Sequence, residues 1–214
     1  MLYLDDIFCS IQGESSLSGL PTVFIRLFGC PVGCVYCDQP QNKNSRKKIS
    51  IANIVSEVQK NYRWCKRVCI TGGEPLIYED TLPLVYELQS YGYQVSIETS
   101  GCIPIQKDDY RRSFIYVMDV KTPSSGVVEK NIYENLIKLH TRDEVKYVIK
   151  DRKDYDFMKG IMKRYPTQAK ILVSPIFNMY NKMLIGNDLV NWLLEDRLPN
   201  IRVQVQLHKI LGVK

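Results

Sequence analysis

The sequence predicts an α/β protein, an incomplete (β/α)6-type TIM-like barrel with parallel strands in a single domain. Short runs rich in β-branched residues recur along the chain, and each is followed by a longer segment whose apolar residues repeat every three or four positions. Such an alternation forms a parallel sheet, although periodicity does not separate an open doubly wound sheet from a barrel. With 214 residues the chain is shorter than the roughly 250 residues of a closed eight-fold barrel, so an incomplete barrel is favoured.

The strand candidates, in chain order, are TVFIRL (22–27), RVCIT (67–71), YQVSIE (93–98), IYVMDV (115–120), EVKYVI (144–149), KILVSP (170–175) and IRVQVQL (201–207). The helix candidates are SIANIVSEVQKNY (50–62), DTLPLVYELQSYG (80–92), NIYENLIKLH (131–140), DYDFMKGIMKRY (154–165) and NDLVNWLLEDR (187–197). No low-complexity stretch divides the chain, which predicts one domain over residues 1–214. In either parallel fold, the active site is expected at the carboxyl ends of the strands.

Composition narrows the class of protein. The N-terminal MLYLDDIFCS has acids where a secretory signal needs bases, and no apolar run reaches the roughly 20 residues that cross a bilayer, so we expect a soluble, cytoplasmic chain. The net charge of +6 is dispersed among acidic residues, which is typical of a solvated surface rather than of a nucleic-acid or membrane site. Seven cysteines in a reducing compartment indicate metal binding or catalysis.

The segment GCPVGCVYCD (29–38) contains Cys30, Cys34 and Cys37 at the spacing C-x3-C-x2-C. Three thiolates on one loop can wrap around one face of a metal centre. Structural zinc sites and closed iron–sulfur clusters take four protein ligands, so a local count of three leaves one position open for a substrate. The alternative is a zinc site completed by one remote residue, from Cys9, Cys65, Cys69, Cys102, His140 or His208.

Together with Tyr36 before the third cysteine and GGEP (72–75) after the second predicted strand, this segment resembles the radical S-adenosylmethionine superfamily. The resemblance implies a [4Fe-4S] cluster on the three cysteines and S-adenosylmethionine on its open iron, which is cleaved to methionine and a 5′-deoxyadenosyl radical. No catalytic side chain is then expected beyond the cluster and this cofactor. The implied S-adenosylmethionine contacts are Tyr36, Gly73, Glu98, Thr99, Ser100, Lys121, Thr122, Pro123, Ser124 and Ser174.

The opening IFCSIQGESSLSGLPTVFIRLFGC (7–30) is similar to that of the 7-carboxy-7-deazaguanine synthases. That family converts 6-carboxy-5,6,7,8-tetrahydropterin to 7-carboxy-7-deazaguanine with loss of ammonia, on the route to queuosine and related deazapurines, which implies a carbon–nitrogen lyase. An amide and a carboxylate can bind the donor and acceptor edge of a pterin, and a guanidinium suits its carboxylate. The substrate contacts that the resemblance implies are Gln12, Gly13, Glu14, Arg26, Thr71 and Lys214.

The chain departs from this family at three positions. Gln39 stands where relatives commonly have a threonine that binds Mg²⁺, and its amide oxygen can serve as a ligand for that ion. Ser15 replaces a glycine, which predicts a backbone less free to adopt positive φ. The chain ends in LGVK, so the terminal carboxylate of Lys214 takes the place of the family's terminal proline.

The expected partners are a small pterin substrate, an electron donor such as flavodoxin or ferredoxin, and a second copy of the chain in a homodimer. No nucleic acid or membrane partner is expected. Two other functions stay open from the sequence. One is a radical S-adenosylmethionine enzyme that activates a protein substrate, and the other is a non-catalytic metal-cluster protein.

Overall fold

The computed structural model describes residues 1–37, 39, 46–106, 112–177 and 185–214. Within these ranges nine strands form one sheet in the order β3-β1-β2-β4-β5-β6-β7-β8-β9. The strands are β1 (Leu2–Ile11), β2 (Pro21–Leu27), β3 (Lys47–Ile49), β4 (Arg67–Gly72), β5 (Gln94–Thr99), β6 (Ile115–Val120), β7 (Glu144–Ile149), β8 (Lys170–Pro175) and β9 (Ile201–Val203). The α-helices are α1 (Ile51–Tyr62), α2 (Thr81–Ser90), α3 (Arg152–Arg164), α4 (Gly186–Glu195) and α5 (Leu207–Leu211).

The parallel part of the sheet comprises β2 and β4 to β9, and it contains all seven predicted strands. In the described part of the chain, β3 and β9 lie at opposite ends of the order and do not pair with each other. The predicted α/β class and incomplete barrel are therefore confirmed. Apolar residues of α1 to α4 pack on the outer face of the sheet, among them Ile54, Leu84, Met158 and Leu189, which are fully buried.

Strand β1 was not predicted, because the opening was interpreted only as a motif, and β3 has only three residues, which is too short for a periodic signal. β1 pairs antiparallel with β2, with Ile11 opposite Pro21, and β3 pairs antiparallel with β1. A short connection suits an antiparallel pair, whereas parallel strands need a crossover. The 12–20 loop, which joins β1 to β2, therefore lies at the amino end of the parallel strands.

Two predicted elements differ from the structure. The predicted helix over residues 131–140 is instead a 3₁₀ segment, Tyr133–Lys138. Asn135 within it is fully buried, and its side chain hydrogen-bonds backbone atoms of Gly101, Ile103 and Ile105, which holds the segment on a neighbouring loop. The strand predicted over residues 201–207 ends at Val203 because the chain then turns into α5.

The 12–20 loop crosses the amino end of the barrel. The backbone N–H of Ser15 donates to Gln204 Oε1 at 2.8 Å, and that of Ser16 donates to Glu144 Oε2 at 2.9 Å. Ser15 has a φ of 68°, so the serine adopts the positive φ that glycine would adopt more easily. The bond to Gln204, and a second from Leu17 N to Ser15 Oγ, hold this left-handed conformation.

None of the helices in the described ranges is long and apolar enough to span a membrane.

Candidate active site

A cavity of about 240 Å³ lies inside the curved sheet, between the 12–20 loop and the cysteine loop (residues 29–37). It brings together residues that are far apart in the sequence and that come from both ends of the strands. The predicted residues that line it are Gln12, Gly13, Glu14, Arg26, Thr71 and Lys214 of the substrate group, Tyr36, Gly73, Glu98, Thr99, Ser100 and Lys121 of the cofactor group, and Cys30, Cys34, Cys37 and Gln39 of the metal group.

Four predicted cofactor contacts lie behind the cavity wall. Thr122 is fully buried and donates from Oγ1 to Val148 O at 2.9 Å, and Pro123 begins the 3₁₀ turn Pro123–Ser125. The backbone N–H of Ser124 donates to Asp154 Oδ1 at 2.9 Å, and Ser174 is fully buried in β8. In this arrangement they shape the turn after β6 and the end of β8, and their contact with a cofactor stays a prediction.

Backbone hydrogen bonds fix the cysteine loop on two sides. The N–H groups of Gly73 and Glu74 donate to Leu27 O and Gly29 O, at 3.0 and 2.8 Å. On the other side, Val35 N donates to Ser125 O at 3.0 Å. The three loop cysteines are free thiols, with Cys30 and Cys37 exposed and Cys34 half-buried. Burial raises the pKa of the Cys34 thiol, although the Lys121 ammonium acts in the opposite direction.

The close approach of GGEP to the cysteine loop depends on Gly72. Its φ is 135°, and a Cβ there would lie 2.0 Å from the carbonyl oxygen of Leu27. Only glycine has both the freedom and the space that this position needs. Gly72 is therefore required by the packing of β4 against β2.

Glu74 of GGEP is a functional residue that the sequence interpretation missed. It is fully buried, and its carboxylate accepts from Leu76 N, Thr99 Oγ1, Ser100 N and Ser100 Oγ at 3.0, 2.8, 2.7 and 2.5 Å. One side chain thus ties the turn after β4 to the turn after β5. A glutamate between Gly-Gly and Pro was the available signal, since a buried acid needs several donors.

At the substrate end, Glu98 lies between two predicted substrate residues. Gln12 Nε2 donates to Glu98 Oε1 at 3.2 Å, and Thr71 Oγ1 donates to Glu98 Oε2 at 2.9 Å. Although Glu98 was predicted as a cofactor contact, its carboxylate belongs to the hydrogen-bond network of the substrate group. The amide of Gln12 is thereby oriented by a half-buried partner before any ligand binds.

Two cations flank the aromatic ring of Phe8 on the cavity wall. The Arg26 guanidinium lies 5.5 Å and the Lys214 ammonium 4.4 Å from the ring centroid. Lys214 also pairs with Asp6. Phe8 in turn stacks on Phe24, with ring centroids 5.2 Å apart. This side of the cavity combines positive charge with a flat apolar surface, which suits an aromatic or partly reduced ring that carries a carboxylate.

A row of four alternating charges crosses the cavity wall from the 12–20 loop toward the cysteine loop. Lys146 Nζ lies 2.6 Å from Glu14 Oε2 and 3.1 Å from Asp119 Oδ2, and Lys121 Nζ lies 3.2 Å from the same Asp119 oxygen. Asp119 and Lys146 were missed because they stand within apolar strand runs. The signal was their position, since charged residues in a buried strand need partners or a ligand.

Gly13 and His208 form the remaining tight contact of the site. A Cβ at Gly13 would lie 1.9 Å from His208 Nδ1, so the imidazole of α5 packs directly on the glycine backbone. The backbone N–H of Leu207 also donates to Gly13 O at 2.9 Å. The segment HKILG (208–212) near the end of the chain thus packs against the 12–20 loop.

The chain is similar to known proteins over most of its length. The Radical SAM superfamily model matches residues 24–162. A 7-carboxy-7-deazaguanine synthase of Methanospirillum hungatei JF-1 is 38% identical over 97% of this chain and 84% of its own, and one of Koribacter versatilis is 36% identical over 98% and 96%. The crystal structure of QueE from Escherichia coli superposes with a TM-score of 0.75 at 22% identity, over 97% of this chain and 94% of that one.

The superfamily match covers more than half of the chain, and the two relatives exceed 30% identity over most of their own length. The chain belongs to the radical S-adenosylmethionine superfamily and, within it, to the family of the 7-carboxy-7-deazaguanine synthases.

Proposed function

We propose that this chain is a 7-carboxy-7-deazaguanine synthase, a radical S-adenosylmethionine lyase that contracts the ring of 6-carboxy-5,6,7,8-tetrahydropterin with loss of ammonia. One observation carries the proposal: the Gln12–Glu14 segment, Arg26 and the three cysteines line a single cavity. A non-catalytic cluster protein would not need a polar cavity beside its thiols. An enzyme that activates a protein would need room for a peptide, whereas the 12–20 loop crosses the amino end of this barrel.

The three thiols and the Gly73 backbone fit the family's cofactors. Three free thiols on one loop face the same cavity as the backbone of Gly73, and that loop is held by hydrogen bonds on both sides. Cys30, Cys34 and Cys37 would hold a [4Fe-4S] cluster, and Gly73 and Ser100 would contact S-adenosylmethionine beside it. When bound, the two supply one electron and the 5′-deoxyadenosyl radical that removes a substrate hydrogen.

The chain's own residues bind and orient the pterin. The Arg26 guanidinium binds the 6-carboxylate, and Phe8 offers a flat apolar surface beside it. Glu14, Gln12 and Glu98 present acceptors to the N–H groups of the ring, and Thr71 holds Glu98 in place. The hydrogen bonds of the 12–20 loop exclude water from this end of the cavity.

Further parts of the proposal rest on the position of single residues and on family membership. Gln39 lies on the cavity wall, where its amide oxygen can coordinate Mg²⁺. Cys30 and Cys37 are exposed, which supports electron transfer to the cluster from a donor such as flavodoxin or ferredoxin. Residues 1–214 act as one radical S-adenosylmethionine domain, which works as a homodimer in the cytoplasm, where seven free thiols stay reduced.

Anaerobic turnover tests the proposal. Reconstituted enzyme with S-adenosylmethionine, dithionite and 6-carboxytetrahydropterin should yield 7-carboxy-7-deazaguanine, detected by mass spectrometry. Cys34→Ala should lose both the cluster's absorbance and turnover. Absence of both 5′-deoxyadenosine and 7-carboxy-7-deazaguanine with a fully loaded wild-type enzyme would reject the proposed activity.

The role of Arg26 has a matched test. Arg26→Ala should keep the cluster but weaken pterin binding by about 1.5–3 kcal/mol, roughly 10- to 150-fold in Kd, because a charge-assisted pair is lost. Arg202→Ala removes an exposed arginine of β9 and should bind like wild type. Equal pterin affinity of Arg26→Ala and wild type would refute the assignment.

A further inference from the structure

Lys146 occupies a position for which neither motif nor family resemblance gave a role. Its ammonium on β7 bridges Glu14 Oε2 at 2.6 Å and Asp119 Oδ2 at 3.1 Å. Asp119 is its direct cross-strand neighbour on β6, whereas Glu14 comes from the 12–20 loop. The side chains of Lys146 and Glu14 are only 15% and 13% exposed, so this is a largely buried ion pair on the cavity wall.

Several charged groups face Glu14, and Lys146 is the cation in contact with it. Gln206 Nε2 donates to Glu14 Oε1 at 2.8 Å, which adds a neutral donor. Asp119 opposes ionisation of Glu14, and Glu98 adds negative charge near Lys146. Lys121 lies beyond Asp119, and the His208 ring packs on the adjacent Gly13.

The balance of these effects fixes the protonation state. Burial raises the pKa of Glu14, but the Lys146 charge and the bonds from Gln206 and Lys146 outweigh it, so the pKa lies below its usual value. Asp119 behaves alike, because Lys121 and Lys146 outweigh its burial and lower its pKa. Without Lys146, burial and the neighbouring Asp119 would both favour protonated Glu14.

Protonation would change what Glu14 can recognise. An ionised carboxylate only accepts hydrogen bonds and has about four lone-pair positions, whereas a carboxylic acid presents an O–H donor. Lys146 and Gln206 use one position on each oxygen, which leaves further acceptor positions toward the cavity. A ligand edge of N–H and NH₂ groups can donate hydrogen bonds to the ionised Glu14 carboxylate. If Glu14 were protonated, its O–H would face these donors and remain unsatisfied.

We propose that Lys146 is a positioning residue that keeps Glu14 ionised and fixed as an acceptor, and that it thereby sets the specificity of the site for substrates presenting an N–H donor edge. The identity of the pterin rests on the proposed function, but the charge relation between Lys146 and Glu14 does not. Lys146 thereby links Glu14 of the 12–20 loop to Asp119 of β6.

Equilibrium binding tests the specificity. Enzyme with an oxidised cluster and S-adenosylmethionine, without reductant, is titrated with 6-carboxytetrahydropterin by anaerobic calorimetry from about pH 6 to about pH 9. Wild type and Lys146→Arg should show flat affinity over this range. The Lys146→Met variant should bind the pterin roughly 10- to 100-fold more weakly than wild type at the acid end, and its affinity should recover as pH rises. The reason is that loss of Lys146 raises the pKa of Glu14, and each pH unit below that pKa lowers the ionised fraction about tenfold.

A matched control and a second variant keep the test decisive. Lys153→Met removes an exposed lysine of α3 and should behave like wild type. Glu14→Gln imitates the neutral form, so it should bind weakly at every pH. In turnover, Lys146→Met should raise KM more than it lowers kcat at the acid end, whereas a general folding defect would reduce iron content and kcat at all pH values.

Infrared spectroscopy supplies a readout that needs no substrate. Lys146→Met should gain a carboxylic-acid band near neutral pH that disappears when Glu14→Gln is added. Absence of this band, or pH-independent wild-type affinity in Lys146→Met or Glu14→Gln, would overturn the inference. If wild type fails to bind the pterin but the band appears, the charge relation stands and the proposed substrate is wrong.

Discussion

Replacement of Glu74 by alanine should destabilise the protein through loss of a buried clamp. The carboxylate accepts four hydrogen bonds from Leu76, Thr99 and Ser100, and it is fully buried. Each bond to a charged acceptor contributes about 1.5–3 kcal/mol, and each donor left unsatisfied costs about 1–3 kcal/mol. Relief of the buried charge offsets part of this loss, so we expect a net cost of about 3–5 kcal/mol.

Thermal unfolding, followed by circular dichroism under anaerobic conditions, measures this cost. For a chain of this size about 1 kcal/mol shifts Tm by roughly 2–4 °C, so Glu74→Ala should melt about 6–20 °C lower. Glu74→Gln keeps one acceptor oxygen and should lose about half as much. Glu79→Ala removes an exposed neighbouring glutamate and should melt with wild type.

The same clamp should affect the cofactor. Thr99 and Ser100 line the cavity, and both lose their partner in Glu74→Ala. Calorimetric titration with S-adenosylmethionine should therefore show weaker binding in that variant than in Glu79→Ala. A Tm of Glu74→Ala within about 1 °C of wild type, with unchanged cofactor affinity, would refute the argument that this carboxylate fixes the two turns.

Two further predictions concern the 12–20 loop. Gly13→Ala places a methyl group 1.9 Å from the His208 ring, so the ring must move and the KM for the pterin should rise about tenfold. Gly160→Ala is the control, at a helix position with open space, and should stabilise the protein by about 0.5–1 kcal/mol. An unchanged KM in Gly13→Ala would show that the His208 ring moves freely. Ser15→Ala should be about 1–2 kcal/mol less stable than Ser15→Gly in urea unfolding, because only glycine adopts the positive φ of this position without strain. Equal unfolding midpoints of the two variants would show that the position is not strained.

The position of the predicted site residues in the fold followed from the sequence where its signal is local. Cys30, Cys34 and Cys37 share one loop, and GGEP directly follows a strand, so short-range spacing was enough to place both at the carboxyl end of the sheet. The same applies to the strand and helix alternation, which depends on residues within one segment. The helix predicted over residues 131–140 was wrong, because hydrogen bonds from Asn135 to residues 101–105 hold that segment in a 3₁₀ conformation. The last predicted strand ends early, at Val203, and strands β1 and β3 were missed.

The amino acids themselves determined the parallel strands, the three-thiol loop and the residue types that suit a pterin and S-adenosylmethionine. Only the tertiary structure decided that Gln12 and Glu14 enter from the opposite end of the barrel, and that Lys146 and Glu74 fix the two halves of the site. These contacts join residues far apart, as Lys146 and Glu14 are separated by 132 positions. Periodicity and motifs report local conformation, whereas a buried charge finds its partner only when the sheet has curved and brought distant strands to one cavity.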